Sequence, residues 1–112
     1  MTMFDQRERA FENLFAHDEE LRFLALARRN QLFACWAAEQ LGLRASDFRT
    51  YVRSFVDGVV RPDSEEALVA RVRADFLAEG VETSDERIRA ALVLTTSQAA
   101  RQVRGQAGAE VA

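Results

Sequence analysis

Residues 4–42 read FDQRERAFENLFAHDEELRFLALARRNQLFACWAAEQLG, and no proline or glycine interrupts them before the final Gly42. The stretch joins two helical patterns. As far as Ala16 it is highly charged, with Phe4, Phe11, Leu14 and Phe15 as its large apolar residues. From Leu21 to Leu41 it is apolar on nearly all sides. The first piece reads as an arm carrying aromatic anchors, and the second as a core helix. In the second, Leu21, Leu24, Leu32 and Cys35 form one stripe, and Phe23, Leu26, Phe33, Ala37 and Leu41 another. Apolar around most of its circumference, it is expected to be the central helix, about 36 Å long at ~1.5 Å per residue. Asp18, Glu19 and Glu20 place negative charge at its start, where a helix N-terminus favours it. Gly42 ends it as a C′ glycine. Two readings of the junction stay open: His17-Asp18 caps a separate helix, or one helix runs straight through.

Three further helices follow. Ser46 is an expected N-cap for a helix running to about Val60, with Phe48, Val52, Phe55 and Val59 on one face and Tyr51 and Val56 flanking. Pro62 separates it from the next helix, because residues before proline avoid helical backbone. Asp63 or Ser64 caps that helix, with Glu66 spaced from Asp63 as a capping box requires. It presents Leu68, Val69, Val72 and Phe76 and stops at Gly80. Thr83 and Ser84 compete to cap the last helix, which presents Ile88, Ala91, Leu92, Thr95, Ala99 and Val103. No strand alternation occurs, and the connections are short, so successive helices pack antiparallel. The expected fold is all-α: an antiparallel four-helix bundle over residues 18–104, preceded by a helical or flexible arm over residues 1–17 and followed by a disordered tail over residues 105–112.

Composition narrows the function. The chain has 112 residues, 48% of them hydrophobic, which suits one domain with a real core. The net charge of −3 and the lack of a continuous basic helix face argue against nucleic acid. All 15 basic residues are arginine. A single cysteine, Cys35, forms no internal disulfide and points to a reducing compartment. No apolar run approaches the ~20 residues that span a bilayer, and the start lacks the apolar core of a signal peptide. A soluble cytoplasmic protein is expected, monomeric when free because its helix faces fill one another. The catalytic inventory is poor: His17 and Cys35 are the sole residues of their types, no glycine-rich phosphate loop exists, and no metal-ligand spacing occurs. The chain does not read as an enzyme, and no cofactor or metal is required.

Two places stand out. In the arm, Asp5, Arg7, Glu8, Arg9 and Glu12 alternate in sign, while Phe4, Phe11 and Phe15 lie at i, i+7 and i+11. A helix this short is marginal in water, so it gains stability by docking on its own bundle or on a partner; composition leaves both open. Arg28 and Arg29 are the second place. Neither has a carboxylate three or four residues away in its helix, so their partners lie on other helices, in solvent or in an anion. Asn30 and Trp36 are near enough in sequence to help hold a base or phosphate, although Trp36 also reads as core. His17, beside three carboxylates, is either an exposed joint or a pH-sensitive one.

These residues carry a resemblance. The stretch from Phe4 to Gly42 closely resembles the start of the alphaproteobacterial zeta subunit family, inhibitors of the F-type ATPase. The shared positions include Phe4, Asp5, Arg7, Glu8, Phe11, Glu12 and Phe15, the run from Ala16 to Glu20, the run from Ala27 to Asn30, and Trp36 to Glu39. Later, VRADFLAEGVETSDERIRA (residues 72–90) resembles a second family segment. Departures occur at Gln6, Asn13, Leu14 and the run Phe33, Ala34, Cys35. The resemblance implies a helical bundle that inhibits ATP hydrolysis, its arm entering a catalytic interface between alpha and beta subunits and reaching toward gamma. Phe4, Asp5, Arg7, Glu8, Arg9, Phe11, Glu12 and Phe15 would make that contact. The protein would sit at the cytoplasmic face of the inner membrane through the ATP synthase, without inserting into the bilayer. An adenine-nucleotide role is associated with the family, and ADP or ATP is an expected ligand with Arg28, Arg29, Asn30 and Trp36 as candidates. The alternatives are a nucleotide-sensing bundle and an adaptor that binds another protein through its arm.

Overall fold

The computed structural model describes residues 6, 9, 13, 15, 17–56 and 64–111, with side chains to residue 106. Four helices run through these residues: α1 (Glu19–Gln40), α2 (Ala45–Arg53), α3 (Glu65–Ala78) and α4 (Asp85–Val111). Among the described residues there is no strand, and the fold is an all-α bundle.

Local chemistry sets most of the boundaries. Asp18 caps α1 by accepting the Leu21 N–H at 3.0 Å, so a capped start, and not a continuous helix, joins arm to bundle. Gly42 (φ +72°) and Gly80 (φ +70°) end α1 and α3 in the left-handed backbone that glycine adopts without a Cβ penalty. Each end donates two backbone bonds back into its helix. Leu43 N–H reaches the Ala38 carbonyl and Gly42 N–H that of Glu39; Val81 N–H reaches Phe76 and Gly80 N–H reaches Leu77. Both are Schellman motifs. Ser64 caps α3 through the Ala67 N–H, and Ser84, not Thr83, caps α4 through the Arg87 N–H. Glu66 turns outward to Arg89 and takes no part in a capping box. Asp63 and Val59 lie outside the described residues.

Three expectations are corrected. Helix α2 starts at Ala45 behind Arg44, which offers no side-chain cap, so Ser46 is inside the helix. The helix also ends at Arg53, and Ser54, Phe55 and Val56 form turns. Helix α4 continues to Val111, beyond the expected boundary at residue 104.

Ala45 has φ of 50°, a conformation that costs an L-residue about 1–2 kcal/mol. Ala45→Gly is therefore expected to raise stability by roughly 0.5–1 kcal/mol, relief of strain outweighing the added freedom of the unfolded chain. Chemical denaturation of the two proteins checks this; a loss of stability would mean the backbone here is not strained.

A fourth correction concerns the face α1 buries. Its buried residues are Ala25, Arg29, Asn30, Phe33, Ala34, Ala37 and Ala38, whereas Phe23 and Leu24 remain 42% and 48% exposed. The reason lies in α4, the helix most extensively packed on α1, which offers Ala91, Thr95, Thr96, Ala99 and Ala100 as buried residues. Small side chains on both helices let the backbones approach closely and leave little room for large ones. In α3 and α4 the expected apolar faces are buried at every position: Leu68, Val69, Val72 and Phe76, and Ile88, Ala91, Leu92, Thr95, Ala99 and Val103.

The main core gathers Phe33, Ala34, Ala37, Phe55, Leu68, Val69, Val72, Phe76, Ile88, Ala91 and Leu92. Trp36 is half-buried against it, stacked on Phe33 with centroids 5.9 Å apart and tilted on Phe76 at 5.7 Å. Arg71 closes the α2 end. Its guanidinium lies 3.7 Å from the Phe55 ring centroid, donates to the Ser54 carbonyl at 3.0 Å, and pairs with Asp75 one turn on at 3.9 Å. Two bidentate pairs, Arg73 with Asp85 and Arg89 with Glu66, tie α3 to α4. Their exposure keeps each contribution small.

Candidate functional site

The arm meets the bundle at a compact turn. The Asp18 N–H donates to the Phe15 carbonyl at 3.1 Å, and the Asp18 carboxylate then starts α1. Glu19 and Glu20 follow in the first turn, where the positive end of the helix favours them. His17 is exposed in this turn. A short turn and a capped helix start thus separate Phe15 from α1.

Phe15 is 3% exposed. It sits in a second cluster with Ala25, Ala100 and Val103, flanked by Leu21 and Leu26. Ala25 and Ala100 are the small residues that leave space for the ring. Between this cluster and the main core lies a polar band of buried Arg29, Asn30, Thr95 and Thr96. The antiparallel register that sets Ala25 against Ala100 and Phe33 against Leu92 brings these four residues to one level. Arg29 donates from Nε and Nη2 to the Asn30 Oδ1 at 3.1 and 3.0 Å. Thr95 and Thr96 donate back to carbonyls of their own helix. The band divides the interior into two apolar clusters.

Of the expected arm contacts, Phe4, Asp5, Arg7, Glu8, Phe11 and Glu12 lie outside the described residues. Arg9 lies in helical backbone and is exposed, as are Gln6 and Asn13. Phe15 points inward, docked on its own bundle.

The nucleotide candidates are spread out. Arg28 crosses to α4 and donates to the Gln102 Oε1 at 2.8 Å, so its partner is an amide and not a carboxylate. Arg29 and Asn30 are buried. Trp36 stands eight residues beyond Arg28, about 12 Å along the axis, and packs on the main core. A single nucleotide would have to span that rise to touch both ends.

Titratable groups are perturbed in places the sequence did not single out. Burial pushes the Tyr51 hydroxyl well above its ordinary range, and the hydrogen bond it donates to Asp75 at 2.7 Å adds to the effect. Burial also raises the Cys35 thiol, with Glu39 adding to it, the opposite of the shift that activates a cysteine. Glu66 and Asp85 are held low by the hydrogen bonds from Arg89 and Arg73. Among the described residues, no cluster of His, Cys, Asp or Glu is arranged to hold a metal ion, and no helix is long and apolar enough to cross a membrane.

Comparison with known proteins adds one finding. Residues 1–102 match the family model of ATPase inhibitor subunit zeta; no curated protein matches the chain. The match takes in residues 1–17, the turn at Asp18, the Phe15 socket apart from Val103, and α4 as far as Gln102. A family match over nine-tenths of the chain, on an all-α bundle, settles the relationship: the chain belongs to the ATPase inhibitor subunit zeta family.

Proposed function

We propose that this chain inhibits ATP hydrolysis by an F-type ATP synthase, its arm (residues 1–17) entering an interface between alpha and beta subunits and reaching toward gamma. Family membership and the capped helix start at Asp18 support this reading. The role is regulatory and uses no chemistry of the chain's own. A rotary ATPase cycles its interfaces between open and closed states, and an arm that fits one state adds its binding energy to that state and halts the cycle. Phe4 and Phe11 supply anchors, and Asp5, Arg7, Glu8, Arg9 and Glu12 set register by charge complementarity.

Phe15 adds a condition. Seated against Ala25 and Ala100, it reaches a partner after leaving its socket, which forfeits about 1.5–3 kcal/mol of burial. That lowers apparent affinity by roughly ten- to hundredfold relative to an arm already free. Membrane association then runs through the synthase.

The test is ATP hydrolysis by the cognate catalytic head, with increasing amounts of the full chain. The expected result is a saturable fall in rate at about one chain per head. A rate unchanged at large excess overturns the inhibitory reading.

A further inference from the structure

A cleft of about 260 Å³ lies at the end of the bundle away from the Phe15 socket, lined by Leu41, Leu43, Tyr51, Asp75, Ala78 and Glu79. Two helix C-termini converge there. Leu41 is the C-cap of α1 and Glu79 that of α3, and neither helix has a basic residue in its last turn. Each C-terminus carries roughly half a negative charge, so Asp75 and Glu79 add carboxylates where the helix ends already disfavour them. Arg71 offsets this weakly, since its Nε stands 3.9 Å from Asp75 Oδ2 while its other donors are turned to Ser54. The Tyr51 hydroxyl also uses Oδ2. Asp75 Oδ1 is left to accept, one turn from a Glu79 that makes no ion pair among the described residues. The remaining walls, Leu41, Leu43 and Ala78, are apolar.

We propose that this cleft receives an arginine side chain of a partner protein, the aliphatic stem lying on Leu41, Leu43 and Ala78 and the guanidinium bridging Asp75 and Glu79. Arginine fits better than lysine, because a planar five-donor fork addresses two carboxylates one turn apart where an ammonium meets them as a point charge. The proposal rests on the cleft alone and is independent of the inhibitory role of the arm.

The experiment is an amide NMR titration of the full chain with the capped peptide Gly-Gly-Arg-Gly-Gly. Saturable shifts are expected at Leu43, Tyr51, Ala78 and Glu79, with millimolar affinity for so small a probe. Glu79→Gln, an exposed change that leaves the fold intact, should weaken the affinity about three- to fivefold. The Gln peptide in place of the Arg peptide should give no shifts. Absent shifts, shifts indifferent to Glu79→Gln, or equal shifts at the same amides with spermidine would overturn the proposal, the last by showing a general attraction for cations.

Discussion

Removing residues 1–13 is expected to abolish inhibition while leaving the bundle as stable as the full chain. Phe4 and Phe11 depart with this segment, and centrally buried aromatic anchors are worth about 2 kcal/mol or more each. Losing both, together with the charged residues that set register, weakens inhibition by at least about a thousandfold. Stability stays because the cut spares Phe15 in its socket and Asp18 on the α1 N-terminus. Removing residues 1–16 confounds the two effects: it empties the socket as well, and losing a buried phenylalanine costs about 3–5 kcal/mol. Hydrolysis assays and thermal melts of full chain, shorter cut and longer cut separate arm from socket. If the chain lacking residues 1–13 inhibits at the concentration the full chain needs, the contact lies on the bundle and not on the arm.

How far the sequence foretold this architecture depended on which physical signal each element carries. In α3 and α4 the apolar period and the buried face coincide, because one side of each helix meets the core and the other meets water. In α1 the two diverge. Stripes of large residues pointed to Phe23 and Leu24, but the helix pairs closely with α4, and close pairing selects alanine. A pattern that weights residues by size does not register a face chosen for being small. Helix α2 was misplaced for a different reason. Ser46 has cap chemistry, yet the turn leaving Gly42 places Arg44 at the cap and forces Ala45 into positive φ, an outcome of the connection and not of the helix itself.

The candidate site shows the same division. Asp18 was legible as a possible cap because the chemistry is local. The fate of Phe15 was not, since an i, i+7, i+11 aromatic spacing suits a bundle socket and a partner's groove equally. Ala25 and Ala100 decide between them, and they lie 10 and 85 residues away in the chain. The cleft at Tyr51, Asp75 and Glu79 was invisible for a related reason: its walls come from α1, α2 and α3, and Tyr51 and Asp75 meet across 24 positions.

Phe33→Ala should be the most damaging single change to the fold. Phe33 is fully buried at the centre of the main core and stacks on Trp36. Its loss removes the ring's burial, leaves a cavity that helices fixed by two Schellman ends and three capping side chains do not readily close, and deprives Trp36 of a neighbour. The expected cost is about 3–5 kcal/mol, against a total of about 5–15 kcal/mol for a protein of this kind. At roughly 4 °C or more per kcal/mol, the melting temperature falls by about 12 °C or more. Leu94→Ala supplies the contrast, because Leu94 is 56% exposed on the outer side of α4, and its truncation should change stability by less than about 0.5 kcal/mol. Denaturant titration of both variants reads the difference directly. Similar losses in the two would mean that Leu94, too, is covered in the folded protein, whereas a mild loss at Phe33 would mean that the core collapses into the vacated space. The same core change should leave the arm's sequence competent, so any Phe33→Ala protein that remains folded at the assay temperature is expected to inhibit hydrolysis once enough is added to offset its unfolded fraction.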